Sequence, residues 1–441
     1  MKKIALMLLV FALVASLVSC GGESQLQEEP KETKTKEVIT TVENTPSVET
    51  VTKEEVDTYD YPTVADPLTP EALAALPIAN SSMTTDQLRQ LCLDYFYLQL
   101  TFSWTPDSRF SYTIESSGKP VTLEKGSVFG GIPYVTVGTG NLYRVLEDYD
   151  TLTGVMPVSL YKANPKLFGN QCSVGAFWGW GRVINSANYT WTQSMVKKNG
   201  FIPVGTYQYR DDLDDYLKSS PDPLTTIDIC QQNGRDVMYE SYAKMLPADG
   251  LVYYSGTAGH VRMCSEAPTV VRDANGAIDP NQSYLRYRDQ VSKWSTAEQS
   301  DGSEMSIQGG VDVKVSFQKL FSSSYLPFTF GELIGTDPVE PSTATLSISG
   351  DTVTVSQLKE AVLTTNYAIS DVFLTVTDEN GTEVYEYVKR STRASVMSVE
   401  LSGMVFENSL KKYCDGNHKV SVSCQLSTGE KPTVLTTTLK N

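Results

Sequence analysis

Hydrophobic and polar positions change rhythm several times along this chain, and each change marks a different kind of element. The first is an unbroken apolar run, Ile4 to Val18, behind the basic pair Lys2-Lys3. It is too short for a comfortable membrane span and reads as a processing signal. From residue 21 to about 65 periodicity vanishes. Glu, Lys, Thr and Val dominate, with no aromatic residue before Tyr59, so this stretch reads as a disordered tether. A folded region begins near Pro67. Thr84-Thr85-Asp86-Gln87 predicts a helix start, with Leu88, Leu91, Cys92, Tyr95 and Leu98 following at helical spacing. Short runs broken by glycine come next, such as Gly130-Gly131-Ile132-Pro133-Tyr134-Val135.

The stretch Cys172 to Ala187 predicts a helix with Cys172, Gly175, Ala176, Gly179 and Val183 on one face. Its small residues suit close packing on a sheet, offsetting about 1 kcal/mol for each interior glycine. A second helix is expected at Met238 to Met245. Strands are expected at Leu251–Tyr254, His260–Cys264, Thr269–Arg272 and Tyr284–Asp289, with a turn at Asp273-Ala274-Asn275-Gly276. Pro338 to Pro341 is a linker. Beyond it the pattern alternates, predicting strands at 343–348, 352–356, 371–377, 382–389, 394–401, 418–426 and 432–439. These short strands resemble an immunoglobulin-like β-sandwich. The expected organisation is thus α+β: a signal over 1–20, a tether over 21–65, a mixed domain over 66–335 and an all-β unit over 342–441.

Charge and cysteine usage refine this picture. The net charge is −16, of which −7 lies in residues 21–61, where eleven Asp or Glu face four Lys. The acidity argues against nucleic acid as a partner, which calls for a basic patch. The apolar run ends Leu17-Val18-Ser19-Cys20-Gly21, which resembles a bacterial lipobox. That resemblance implies lipidation of Cys20 and a protein held outside the cytoplasm on a bacterial membrane. An extracytoplasmic site permits disulfides, and Cys414 and Cys424 could form one.

The chain has only two histidines, His260 and His418. A general base working near neutral pH is most often histidine. His260 follows Gly259 at a predicted strand start, whereas His418 falls in Gly416-Asn417-His418 of the all-β unit and reads as a turn residue. The best nucleophile is Cys172, which opens a helix after Gln171, where the helix dipole favours a thiolate. So few histidines exclude a zinc cluster, and no cofactor is expected. Asp148 and Asp150 lack the regular spacing of a calcium loop.

Gln171-Cys172, Trp178, Arg182-Val183, the strand Leu251 to Tyr254, Gly259-His260-Val261 and Asp289-Gln290 together resemble the CHAP family. These are Cys, His-dependent amidohydrolases and peptidases within the NlpC/P60 and papain-like superfamily. The resemblance covers roughly residues 165–295. It implies a papain-like cysteine peptidase domain with Cys172 as nucleophile, His260 as base and Gln171 as oxyanion donor. Asp289 would orient the imidazole, with Gln290 as the alternative because neighbouring strand residues face opposite ways. Glu266 and Asp273 are further candidates. The chain departs from the pattern in the wide Cys172–His260 separation and in Asp at the third position. The implied function is hydrolysis of amide bonds, with peptidoglycan as the expected partner. A catalytically inactive envelope scaffold, and a hydrolase of extracellular proteins or small amides, are the alternatives.

Overall fold

The computed structural model describes residues 63–64, 70–185, 192–195, 200–208, 224–299 and 302–440. The expected signal peptide, Cys20 and nearly all of the expected tether lie outside the described residues. The described chain is a mixed α/β protein with several sheets. Its main helices are α1 (Thr85–Thr101), α2 (Leu142–Asp148), α3 (Cys172–Trp180), α4 (Thr226–Asn233) and α5 (Arg235–Tyr242).

Local chemistry accounts for these boundaries. Thr84 Oγ1 accepts the Gln87 backbone N–H at 3.3 Å, while Gln87 Oε1 accepts the Thr84 N–H at 2.9 Å. This reciprocal cap starts α1, whose Leu88, Leu91, Cys92, Tyr95 and Phe96 are buried. Every residue of α3 is buried. A side chain at Gly175 would meet Gln99 of α1 on one side and Gln290 on the other. One at Gly179 would meet the Cys92 carbonyl and Met263. The two glycines therefore let α3 lie pressed between α1 and the sheet. The helix ends at Trp180, short of the expected Ala187. Past Gly181, the Arg182 side chain donates to the Pro77 carbonyl at 2.8 Å and the Val183 carbonyl accepts from Tyr367 at 3.3 Å. The expected helix at Met238–Met245 is instead the pair α4 and α5, broken at Gly234, whose φ is 76°.

The strands before residue 340 are β1 (Thr63–Val64), β2 (Ser103–Pro106), β3 (Phe110–Ile114), β4 (Lys119–Leu123), β5 (Phe129–Gly130), β6 (Val155–Met156), β7 (Ile202–Pro203), β8 (Gly250–Tyr254), β9 (Gly259–Cys264), β10 (Tyr284–Gln299), β11 (Glu304–Ser316) and β12 (Leu326–Thr329). The large sheet runs β6-β2-β5-β11-β10-β9-β8-β12-β7, with β1 added to β10. β3 and β4 form a separate hairpin. β10 is far longer than the expected Tyr284–Asp289, because β11 supplies partners along most of its length. The expected strand Thr269–Arg272 is reduced to isolated bridges. There Ser283 Oγ takes the Val271 N–H at 2.9 Å, the donor a ladder partner would have used.

After residue 340 two sheets share one core. Ala344–Leu346, Val362–Thr365 and Ser398–Glu400 make a three-stranded sheet. The five-stranded sheet runs Thr352–Thr354, Thr433–Lys440, Lys419–Leu426, Ile369–Thr377, Glu383–Arg390. Leu363 and Val399 from one sheet cluster with Val372, Leu374, Val420 and Val422 from the other. The expected strand 352–356 stops at Thr354, which instead caps the helix Val355–Glu360 through Gln357. The Cys414–Cys424 bridge does not form. Cys424 is buried in its strand, while the Cys414 thiol lies near the Leu410 carbonyl at 3.7 Å.

This unit is fastened to the rest of the chain. Arg144 of α2, 1 % exposed, donates to Asp371 Oδ1 from Nε at 3.3 Å and from Nη2 at 3.0 Å. It also donates to the carbonyls of Leu167 and Ser370, both at 3.2 Å. Arg390 returns the contact, with Nη2 at 3.0 Å from both Asp148 oxygens.

Candidate active site

Cys172 is the first residue of α3, and Gln171 is its N-cap with extended backbone. The Gln171 side chain does not cap the helix. Its Oε1 accepts the Val137 backbone N–H at 2.9 Å. Its Nε2 is buried and makes no hydrogen bond among the described residues. A donor held by its sister oxygen and left unpaired beside a cysteine is suited to receive a developing oxyanion.

His260 stands at the start of β9, one residue after the β8–β9 turn. Gly259 is required there, since a Cβ would collide with Thr192. His260 Nε2 lies 2.7 Å from Asp289 Oδ2. The Cys172 side chain also hydrogen-bonds His260. With Nε2 committed to Asp289, Nδ1 is the nitrogen left for the thiol. Asp289 is buried, and its two oxygens are satisfied separately. Oδ1 accepts the Gly310 N–H of β11 at 3.1 Å, while Oδ2 accepts from His260 and from Arg262 Nε at 3.3 Å. The three predicted residues thus meet, brought from α3, β9 and β10. Cys172 is 1 % exposed, whereas the His260 side chain is 20 % exposed and forms the accessible edge.

The charges follow from these contacts. Burial alone would disfavour the imidazolium. Hydrogen bonds to Asp289 and Cys172 and their negative charges outweigh it, raising the His260 pKa from 6.5 to about 9. Burial likewise opposes ionisation of Asp289, yet the His260 hydrogen bond, His260 and Arg262 charges and the Gly310 N–H hold it below the usual carboxylate value. The arrangement supports a thiolate–imidazolium pair with a fixed counter-anion.

Two outcomes follow. As pH rises through about 9, the imidazolium is lost, and any reaction that depends on the Cys172–His260 pair is expected to slow along that limb, read as the alkylation rate of Cys172 against pH. The same proton stabilises the fold fully below 6.5, an advantage lost as pH rises through about 9; thermal denaturation across this window checks it. Separately, if Gln171 Nε2 receives an oxyanion here, Gln171→Ala is expected to lower turnover about 10²-fold with little change in KM, measured by steady-state kinetics.

The other candidates go elsewhere. Gln290 is buried, with its Cβ toward Gly175 of α3, and its Nε2 donates to the Ile132 carbonyl at 2.7 Å. It ties β10 to the loop at Ile132, whereas it is Asp289 that bonds His260. Glu266 lies by Arg286 at 3.9 Å, and Asp273 accepts the Asn275 and Ala277 N–H groups of its own turn. His418 pairs with Asp415 at 2.8 Å in the C-terminal unit. Asp148 binds Arg390 and the Tyr161 hydroxyl, and Asp150 caps a turn. Among the described residues no group of three or more His, Cys, Asp or Glu could hold a metal ion.

Sequence reasoning overlooked several contributors. Val137 has φ 53°, a strained value for a β-branched residue. The loop around it presses on the Cys172 approach so closely that Gly138 and Gly140 leave no room for a Cβ. The glycine cluster Gly130, Gly131, Gly138 and Gly140 was the signal available. Arg262 lies two residues after His260 on β9, and this spacing alone places both on one face.

No protein-family model matches this chain, and comparison with curated proteins and with solved structures returned no match.

Proposed function

We propose that the chain is a cysteine amidase or endopeptidase working through an acyl-enzyme. The carrying observation is that Cys172, at a helix N-terminus, hydrogen-bonds a histidine that is held in turn by a buried carboxylate. In this reading the Cys172 thiolate attacks the carbonyl carbon. The C–N bond then breaks, and His260 delivers its proton from Nδ1 to the leaving amine. His260 next takes a proton from water, and the hydroxide attacks the thioester, whose C–S bond breaks to give the carboxylic acid and restore the Cys172 thiolate–His260 imidazolium pair. Gln171 Nε2 steadies the oxyanion of each tetrahedral intermediate.

The helix, strand and third-residue order that resembles the CHAP and NlpC/P60 families supports a papain-like assignment for residues 66–335. The two-sheet core after residue 342 supports an immunoglobulin-like unit. With the lipobox-like Cys20 and the polar tether, the reading becomes a lipid-anchored enzyme outside the cytoplasm, acting on peptide or amide bonds of peptidoglycan. The test is incubation of the purified full-length chain in detergent with sacculi. New amine termini are expected from wild type and not from Cys172→Ala; equal release from both overturns the assignment.

The near-complete burial of Cys172 favours a second reading, a catalytically inactive envelope scaffold. It requires that Cys172 resist alkylation in the native protein while reacting after denaturation.

A further inference from the structure

Asp289 serves two cations through one oxygen. His260 Nε2 and Arg262 Nε both approach Oδ2, at 2.7 Å and 3.3 Å, while Gly310 occupies Oδ1. A carboxylate that only had to orient an imidazole would not require a second, permanently charged donor on the same atom. Arg262 is also held in place independently of Asp289. Its guanidinium carbon lies 4.0 Å from the Tyr287 ring centroid and 4.4 Å from that of Tyr325, between two aromatic rings. The anchoring rings come from β10 and from the approach to β12.

We propose that Arg262 is a positioning residue of this site, fixing Asp289 and setting the pH range over which the Cys172–His260 pair is active. The proposal rests on the cysteine-hydrolase reading. Arg262 remains charged throughout the working range. Its neighbours from each packed element are defined. β9 itself supplies His260, β10 supplies Asp289 and Tyr287, and the segment before β12 supplies Tyr325. Cys172 of α3 hydrogen-bonds His260, and Tyr253 of β8 is the direct cross-strand neighbour of that histidine, so α3 and β8 face the cluster too. In this set Arg262 is the one cation that cannot give up its proton. It draws density from Oδ2, which weakens the grip of Asp289 on the imidazolium. Its charge also favours every deprotonation nearby. Both the proton loss that creates the thiolate–imidazolium pair and the one that destroys it therefore move to lower pH. Two coupled sites titrate as a unit, so the prediction concerns the pair.

The test is the rate of iodoacetamide alkylation at Cys172, read by peptide mass spectrometry across pH 4 to 11 on the full-length chain. Arg262→Met and Arg262→Gln both remove the cation, and Gln retains a donor for Asp289 if the apolar variant fails to fold. Both midpoints are expected to rise together by about half to one pH unit. Arg262→Lys is expected to keep most of the wild-type profile. A folded charge-removing variant with lower amplitude but unmoved midpoints overturns the proposal, since that is what a purely structural arginine would give. A wild-type Cys172 titrating as an ordinary thiol, with one high midpoint, overturns the underlying reading instead.

Discussion

Cys172→Ala is expected to abolish the amide hydrolysis proposed for this chain, lowering kcat by about 10⁴-fold or more while leaving the fold intact. The size follows from the route: without sulfur there is no acyl-enzyme, and water must attack unaided. The fold should survive because the change removes one buried sulfur and leaves the close packing of α3 against α1 and the sheet at Gly175 and Gly179 unaltered. His260→Ala should cost nearly as much, and the double variant little more than either alone. Residues that act as one unit are grossly non-additive. Additive losses would mean that the two do not share a step. The measurement is single-turnover hydrolysis, with circular dichroism confirming the fold of each variant.

The second large effect concerns stability. Asp371→Ala is expected to destabilise the protein by about 3–5 kcal/mol, because it strands the Arg144 guanidinium in the interior. Arg144→Met/Asp371→Leu should recover most of that loss, since neither charge is then left alone. All tryptophans precede residue 300, so their fluorescence reports the large-sheet region, while far-ultraviolet dichroism reports both regions. In urea the two signals should coincide for wild type and separate for Asp371→Ala. Coincident curves with unchanged midpoint would show that Arg144 does not fasten the two regions together. The same seam runs beside the end of α3, where Tyr367 holds the Val183 carbonyl and Ser427 lies against Gly181. The C-terminal strands thus buttress the end of the helix that Cys172 opens.

Much of the candidate site was legible because its signals are local. Gln171-Cys172 at a helix start and Gly259-His260 at a strand start follow from short-range periodicity and turn chemistry, whereas Asp289 was pointed to only by the family resemblance. The choice between Asp289 and Gln290 was not legible, because alternation says only that the two face apart. Packing decides it: Gln290 is taken by the Ile132 carbonyl under α3, and Asp289 is left facing His260. Arg144–Asp371 and Val137–Gln171 were invisible for a different reason. Each joins residues far apart in sequence, 227 for the first and 34 for the second, and no periodicity encodes such a pairing. Strand ends were misjudged where a side chain replaced a ladder bond, as at Ser283 and Thr354.

The central claim, that Cys172 and His260 form an activated pair, is tested most directly by alkylation of Cys172 at pH 6.5 in wild type and His260→Ala. At that pH an ordinary thiol is almost wholly protonated. The expected result is fast labelling of wild-type Cys172 and a rate at least about tenfold lower in His260→Ala. Equal, slow labelling of both proteins would contradict it.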